Sequence, residues 1–348
     1  MNALGGIRIL DLTRLLPGAY CTLLLAGMGA EVIKVEEPLT GDYMRWTPPL
    51  VDGQSALFDA LNRGKKSIAL DLKDSAARDT LLRLVETADV LVEGNRPGVM
   101  ARLGLGWDVL HQRNPRLVVC SITGYGQDGP FAQRAGHDIN YTAIAGALGL
   151  NGPRGGAPVP LSVQVADVGG GGMQAAVEIL GAVVGVQRGG EGRHIDIAMM
   201  DGAVGWLALV FAAHASGERV ARGDQRLAGR YACYRVYECK DGRYYSVGAL
   251  EPKFWLALCT ALGRIDLVDS QYSEDLAVQR DVEAVFATRT RDEWEEVLSP
   301  VDACCEPVLD IGEVAAHPQV AARGVLTKAG RGPRLGEHTE EILKELGR

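Results

Sequence analysis

Short apolar runs alternate with longer amphipathic stretches in the N-terminal part of the chain. Residues 7–12 and 31–35 are predicted strands, and residues 17–28, ended by Gly29, are a predicted helix. A strand, a helix and a second strand within about thirty residues are typical of a βαβ unit.

The same alternation continues far along the sequence. Its predicted strands cover residues 67–72, 90–92, 117–120 and 194–197, and its predicted helices cover 75–88, 140–150, 170–186 and 199–215. We expect Ser75 to cap the first of these helices, and residues 199–215 to form a long buried helix. Strands that alternate with helices predict an α/β fold with a doubly wound parallel sheet.

The pattern changes after residue 217. Residues 218–230 are polar and rich in Gly and Arg, and Asp241-Gly242 then separates two strand-like runs, which predicts a β-hairpin followed by helices. We therefore predict a large domain over 1–217, a linker over 218–230 and a smaller α+β domain over 231–325. The tail, 326–348, is expected to return to the large domain.

Composition narrows the class of protein. The 348 residues are 47% hydrophobic and carry a formal net charge of −8, which fits a soluble protein and argues against nucleic-acid or membrane partners. The 7 cysteines form no Cys-x-x-Cys pair, so we expect reduced thiols, no zinc site and a cytoplasmic location. The chain begins as a strand, so we expect no secretory signal, and the apolar stretch 202–215 is too short to span a bilayer.

The first βαβ unit superficially resembles a dinucleotide site. Its turn reads Arg14-Leu15-Leu16-Pro17-Gly18, which lacks the Gly-x-Gly-x-x-Gly pattern that lets a backbone approach a pyrophosphate. Binding of NAD is therefore not favoured.

Three residues are candidates for acid–base chemistry. His137 lies in the run Gly-His-Asp-Ile-Asn-Tyr at 136–141, Asp167 precedes four glycines, and Glu251 stands between a strand-like run and Pro252. A structural role is the alternative for each, because all three stand where a residue caps a helix. An imidazole and a carboxylate held apart can remove a proton from one face of a carbon and return it to the other.

Three further motifs accompany the segments that contain His137, Asp167 and Glu251. They lie at residues 62–73, which include Asn62-Arg63-Gly64-Lys65-Lys66, at 96–104 and at 123–130. The order of all these motifs along the chain is characteristic. Together they resemble the α-methylacyl-CoA racemases of the family III (formyl-CoA transferase type) CoA-transferase superfamily. The resemblance extends from Leu4 to about Val325. It implies a Rossmann-like large domain that binds CoA and a second, small domain.

The resemblance also implies an obligate homodimer whose subunits interlock. His137 and Asp167 would come from one subunit and Glu251 from its partner. The only partner besides the second subunit would be the acyl-CoA substrate, and no cofactor beyond its coenzyme A is expected.

The family chemistry gives each candidate a role. His137 and Asp167 would be the two acid/bases that interconvert (R)- and (S)-2-methylacyl-CoA through an enolate, and Glu251 would orient His137. We expect the glycines after Asp167 to let the thioester approach closely. We also expect the backbone at Asp167 and Val168 to form the oxyanion hole.

Further residues match positions that contact the substrate or its CoA in the family. They are Leu70, Asp71, Leu72, Lys73, Gly94, Asn95, Arg96, Arg102, Gly136, Asp138, Ile139, Asn140 and Tyr141. Arg96 and Arg102 would contact phosphates, and Asp138 also has a structural interpretation. Glu37 stands where family members often carry arginine, so either Lys34 or Arg45 substitutes for it, or CoA binds less tightly or in a shifted pose.

Two alternatives remain open. In a family III CoA-transferase, an aspartate at position 167 acts as a nucleophile; His137 favours the racemase, because transferases usually have a non-basic residue there. A non-catalytic CoA-binding protein would have lost the acid–base residues. The acyl group is also open, with Tyr141, Tyr125, Met173 and Met200 as candidates to border it.

Overall fold

The computed structural model describes residues 2–326 and 330–347. Its strands, in chain order, are β1 Arg8–Asp11, β2 Glu31–Glu36, β3 Leu50–Val51, β4 Gln54–Ser55, β5 Lys66–Ala69, β6 Val90–Glu93, β7 Val118–Thr123, β8 His194–Ala198, β9 Tyr234–Glu238, β10 Tyr244–Gly248 and β11 Cys305–Pro307.

Helices connect and cover these strands. The α-helices are α1 Leu16–Gly27, α2 Ala56–Asn62, α3 Ser75–Val85, α4 Val99–Arg102, α5 Trp107–Arg113, α6 Asp138–Ala145, α7 Ala147–Leu150, α8 Gln174–Gln187, α9 Met199–Gly205, α10 Ala208–Ala215, α11 Pro252–Ala261, α12 Leu276–Phe286, α13 Arg291–Leu298, α14 Ile311–Val314, α15 Pro318–Arg323 and α16 Thr339–Glu345. Short 3₁₀ helices cover Tyr43–Trp46 and Ile265–Ser270, and a π-helix covers Val165–Met173.

The main sheet confirms the predicted α/β class. Six strands pair in parallel in the order β5-β2-β1-β6-β7-β8. Successive side chains point to opposite faces, so Ile9 lies in the apolar cluster with α1 and α8 while Leu10 lies in the one with α3 and α16. The order reverses between β1 and β6, and ligands of such sheets bind beyond the carboxyl ends of the strands at this switch point.

Contacts within the chain group the described residues into two units. Unit 1 comprises residues 2–148, 160–211 and 330–347, and unit 2 comprises residues 149–159 and 212–326. The C-terminal segment of unit 1 packs on β5, where the His338 N–H donates to the carbonyl of Ser67 at 2.9 Å.

Unit 2 is built on a small antiparallel sheet, β11-β10-β9. The predicted hairpin between β9 and β10 is present, and its turn contains Gly242 at φ 75°. Tyr237 on β9 stacks on Phe286 of α12 with ring centroids 5.0 Å apart, and Trp255 of α11 is buried in the same core.

Several local predictions were wrong. Asp74, not Ser75, caps α3 by accepting from the Ala77 N–H. The helix expected over 140–150 breaks at Gly146, whose φ is 93°. The long buried helix expected over 199–215 is two helices, α9 and α10, and α10 buries none of its residues.

The helix expected over 170–186 begins earlier, as the π-helix that continues into α8. By length and composition this continuous segment, Val165–Gln187, could cross a membrane, but half of it is buried within the fold. The core helix of a soluble protein passes the same test of length and composition.

Candidate active site

Asp167 lies in the first turn of the π-helix. This helix form is rare and frequently lies at functional sites. The glycines at 169–172 are all buried, and they explain how the segment packs so closely.

The glycines face protein and not an open cavity. A Cβ on Gly170 would lie 2.7 Å from the Met199 carbonyl oxygen, and one on Gly172 would lie 2.6 Å from the Pro17 carbonyl oxygen. The expectation that these glycines make room for the thioester is therefore wrong. They let the π-helix contact the backbones of α1 and α9.

The amide groups at the start of the π-helix are also occupied. The Asp138 carboxylate accepts from the Ala166 N–H at 2.7 Å and from the Asp167 N–H at 3.0 Å. The Val168 N–H donates to the carbonyl of Gln164 at 2.8 Å. The predicted oxyanion hole at Asp167 and Val168 is therefore not available, because both donors are used.

His137 precedes the first residue of α6 and has extended backbone geometry, with φ −130° and ψ 174°. Its N–H donates to the Asn140 side-chain oxygen at 3.0 Å. The Tyr141 hydroxyl donates to the Gly136 carbonyl at 2.5 Å. A Cβ at Gly124 or Gly136 would clash with the Tyr141 ring, so glycine at these two positions leaves room for that ring.

The electrostatic surroundings of Asp167 raise its proton affinity. Burial and the neighbouring Asp138 carboxylate together raise the pKa of Asp167 to about 6, although His137 opposes them. Burial and the same carboxylates raise the pKa of Tyr141 to about 12. At neutral pH, Asp167 is thus closer than an ordinary aspartate to exchanging its proton, while Tyr141 stays neutral.

One cavity of about 520 Å³ in unit 1 brings many of the predicted residues together. We call it the catalytic cleft. Of the predicted site residues, it is lined by Gly94, Asn95, Arg96, Gly136, His137, Asn140, Tyr141 and Asp167. The imidazole and carboxylate singled out in the sequence therefore border the same space.

A second cavity of about 220 Å³ lies beside the ends of β1, β2 and β5. Leu70, Asp71, Leu72 and Lys73 line it. It shares Thr13, Arg14 and Asn95 with the catalytic cleft. The two cavities therefore adjoin at the switch point between β1 and β6, so a long ligand can extend through both.

Arg14 was missed in the sequence. It lines both cavities, its guanidinium donates to the Tyr43 hydroxyl at 2.8 Å, and among the described residues it forms no ion pair. The signal was its place in the turn between β1 and α1, because the first strand–helix turn of such sheets commonly holds phosphate.

Buried charges hold the loop that presents Arg14. The Thr13 N–H donates to Asp11, the Thr13 carbonyl accepts from Lys34 at 2.8 Å, and the Leu15 N–H donates to Asp42. Leu15 has φ 61°, a conformation that a non-glycine residue keeps only when its surroundings enforce it.

Neither predicted substitute for a basic residue at position 37 is available. Lys34 is fully buried and paired with Asp42 at 3.0 Å. Arg45 is buried against Glu36 at 2.7 Å. Glu37 itself accepts from the Thr40 N–H and hydroxyl in a turn. Arg14 and Lys73 are the cations that line the smaller cavity.

Some predicted residues lie elsewhere. Arg102 ends α4, is exposed and lines neither cavity. Asp138 and Ile139 border a further cavity of about 320 Å³, which also contacts His137 and Asp167. Glu251 belongs to unit 2, where it is exposed and precedes the first residue of α11.

The basic segment at 62–66 does not border either cavity. Lys65 is buried and donates to Asp11, Thr22 and Asn62. Lys66 pairs with Glu31 and Glu341. No group of three or more His, Cys, Asp or Glu residues within 2–326 and 330–347 is placed to hold a metal ion.

The profile of CoA-transferase family III matches residues 4–340. The chain belongs to this family. It is therefore an enzyme of the group that contains both CoA-transferases and racemases, and an acyl-CoA substrate is consistent with that membership.

Relatives from both branches of CoA-transferase family III are similar to this chain. The human alpha-methylacyl-CoA racemase is 35% identical over 99% of this chain and 94% of its own length. The human succinyl-CoA:glutarate CoA-transferase is 32% identical over 99% of this chain and 86% of its own. A crystal structure of a CAIB/BAIF family protein from Brucella suis superposes with a TM-score of 0.85, at 32% identity and over 99% of each chain.

Proposed function

We propose that the protein interconverts the (R) and (S) forms of 2-methylacyl-CoA thioesters by 1,1-proton transfer. One observation carries the proposal: His137 and Asp167 line the same cleft, which adjoins the smaller cavity that Arg14 and Lys73 border. An acid and a base on one cavity are what a cofactor-independent racemase requires.

The chemistry follows from the two side chains. Neutral His137 removes the α-proton of one enantiomer, and protonated Asp167 delivers its proton to the opposite face of the resulting enolate. The reverse reaction uses the Asp167 carboxylate as base and the His137 imidazolium as acid. A pKa of about 6 for Asp167 allows both forms near neutral pH, which suits a group that must give and take a proton.

The enolate oxygen also needs stabilisation. We assign this role to the start of α6, beside His137. The N–H groups of Asp138 and Ile139 are the first two of this eight-residue helix, and such groups have no acceptor within their own helix. The helix dipole adds to their attraction for a developing anion.

Following the family resemblance, we propose that Glu251 of a second subunit completes the site. A carboxylate beside His137 would fix its tautomer and stabilise the imidazolium. The protein would then act as a homodimer in the cytoplasm, with acyl-CoA as its substrate and no additional cofactor.

A CoA-transferase is the second candidate, favoured by the identity to the succinyl-CoA:glutarate enzyme. In that reaction the Asp167 carboxylate attacks the thioester carbonyl, releases CoA as thiolate and becomes a mixed anhydride. CoA thiolate then attacks the Asp167 carbonyl of the anhydride, giving an aspartyl-CoA thioester and the free acid. The acceptor carboxylate then attacks the Asp167 carbonyl of this thioester, which releases CoA thiolate and forms a second anhydride. CoA thiolate finally attacks the acceptor's acyl carbonyl in that anhydride, which gives the new acyl-CoA and frees the Asp167 carboxylate.

The decisive experiment is proton NMR of (S)-2-methylacyl-CoA with the enzyme in D₂O, together with measurement of optical purity. Wash-in of deuterium at the α-carbon with loss of optical purity supports the racemase. Absence of exchange in a dimer that binds CoA contradicts it.

Two variants and one chemical trap separate the candidates. His137→Ala and Asp167→Ala are each expected to abolish racemisation with the dimer intact, and either variant is expected to exchange the α-proton of at most one enantiomer. Hydroxylamine with acyl-CoA converts an aspartyl anhydride or thioester to a hydroxamate at position 167. Formation of that hydroxamate favours the transferase.

A further inference from the structure

Asp138 joins the two elements that carry the acid–base pair. It is the first residue of α6, directly after His137, and its carboxylate accepts from the backbone N–H groups of Ala166 and Asp167 at 2.7 and 3.0 Å. The start of the π-helix is thereby attached to the start of α6. Displacement of either helix end would break a charge-assisted hydrogen bond.

The carboxylate also carries a charge. The Asp167 carboxyl interacts electrostatically with three titratable groups near the start of the π-helix. These groups are His137, Asp138 and Tyr141. Tyr20 of α1 lies at the Gly172 end. Asp201 of α9 interacts instead with Asp196 and Asp128.

Resting on the proposed function, we propose that Asp138 is a positioning residue for the reaction. Its carboxylate holds the Asp167 backbone against the start of α6 and places a negative charge beside the Asp167 carboxyl group. The first effect sets the separation of the two bases. The second favours the protonated form of Asp167, which is the form that delivers a proton.

The substitution Asp138→Asn separates these two effects. An asparagine side-chain oxygen can accept the same two N–H groups, so the backbone connection is retained and the charge is removed. Asp138→Ala removes both. Asp201→Asn is the matched control, because it removes a carboxylate from a helix that packs on the π-helix without affecting Asp167.

The test is a pH titration of the Asp167 carboxyl by ¹³C NMR in the full-length protein, with the signal assigned from Asp167→Asn. The wild-type midpoint is expected near pH 6. Asp138→Asn is expected to lower it by roughly one unit, since one nearby like charge is lost. Asp201→Asn is expected to leave it unchanged. This measurement does not depend on racemase activity, so failure of the proposed function is a separate result.

The kinetic readout follows the same logic. In the direction of the reaction in which Asp167 donates its proton, activity falls as Asp167 is deprotonated. In Asp138→Asn this fall should begin at a pH that is lower by the same shift. In Asp138→Ala, kcat should fall further than in Asp138→Asn. An Asp167 midpoint near pH 4 in the wild type, or one that does not move in Asp138→Asn, overturns the inference.

Discussion

Replacement of Gly170 by alanine tests whether the glycine run after Asp167 serves packing or substrate binding. Gly170 is buried in the π-helix, and its added Cβ would lie 2.7 Å from the Met199 carbonyl oxygen and 3.0 Å from the Ala203 nitrogen. Both neighbours are backbone atoms of α9, which cannot rotate away. The helices must therefore separate by several tenths of an ångström.

The magnitude follows from the kind of contact. Overpacking of a dense core typically costs about 1–3 kcal/mol, and a clash with backbone belongs at the upper end of that range. We expect Gly170→Ala to lower the free energy of unfolding by about 3 kcal/mol. Because Asp167 lies on the same π-helix, kcat should fall as well, while binding of CoA changes little.

Gly181→Ala is the matched control. Gly181 lies in α8, on the same continuous helical segment, and a Cβ there meets nothing within 4 Å. Alanine has the higher helix propensity, so this variant should be more stable by about 0.5–1 kcal/mol. The assay is urea denaturation of both variants followed by circular dichroism, with CoA affinity measured by calorimetry.

The opposite pattern would refute the packing interpretation. If Gly170→Ala unfolds at the wild-type urea concentration and its affinity for acyl-CoA falls, the glycine contacts the thioester, as the sequence first suggested. Equal destabilisation by Gly170→Ala and Gly181→Ala would show that the penalty comes from the helix and not from its contact with α9.

Three further predictions test separate parts of the molecule. Arg14→Ala should weaken CoA binding in calorimetry by roughly 10- to 150-fold, since a hydrogen bond to a charged group contributes about 1.5–3 kcal/mol, whereas the control Tyr43→Phe should weaken it much less. Asp11→Asn leaves Lys65 buried without its ion-pair partner and should destabilise unit 1 by about 3–5 kcal/mol in urea denaturation at pH 7. Burial alone would raise the pKa of Asp11, but Lys34 and Lys65 lower it to about 2. In the wild type, the stability that ionised Asp11 contributes should therefore be present above the ordinary pKa near 4 and be lost as the pH falls toward 2. Thr290→Ala removes the side-chain acceptor of the Glu293 N–H at the start of α13 and should destabilise unit 2 by about 1 kcal/mol without changing CoA affinity.

The centre of the parallel sheet could be predicted because strands β1, β2, β6 and β7 are buried on both faces. Each reads as a short apolar run, and β1, β2 and β6 agree with their predicted bounds to within two residues. The hairpin in unit 2 was predictable for a different reason. Gly242 adopts φ 75°, and the Asp-Gly pair at that turn marks a conformation that other residues rarely adopt.

The π-helix could not be predicted from periodicity. Its sequence, VADVGGGGM, combines apolar residues with four glycines, a composition equally compatible with a loop or a phosphate-binding turn. What selects the helix is contact with α1 and α9, whose backbones approach only because the glycines lack side chains. Those contacts join segments far apart in sequence, so no local sequence pattern predicts them.

The run from Gly136 to Tyr141 illustrates why motif residues with a structural role are easily confused with catalytic residues. Gly136 accepts the Tyr141 hydroxyl, Asn140 accepts the His137 N–H, and Asp138 holds the start of the π-helix. A substitution at any of these positions would lower activity by moving His137 or Asp167, without that residue touching the reacting carbon. Loss of activity alone therefore cannot assign a catalytic role here. The assignment requires a measurement that a displaced helix would leave unchanged, such as proton exchange from one enantiomer only, which identifies the base that remains.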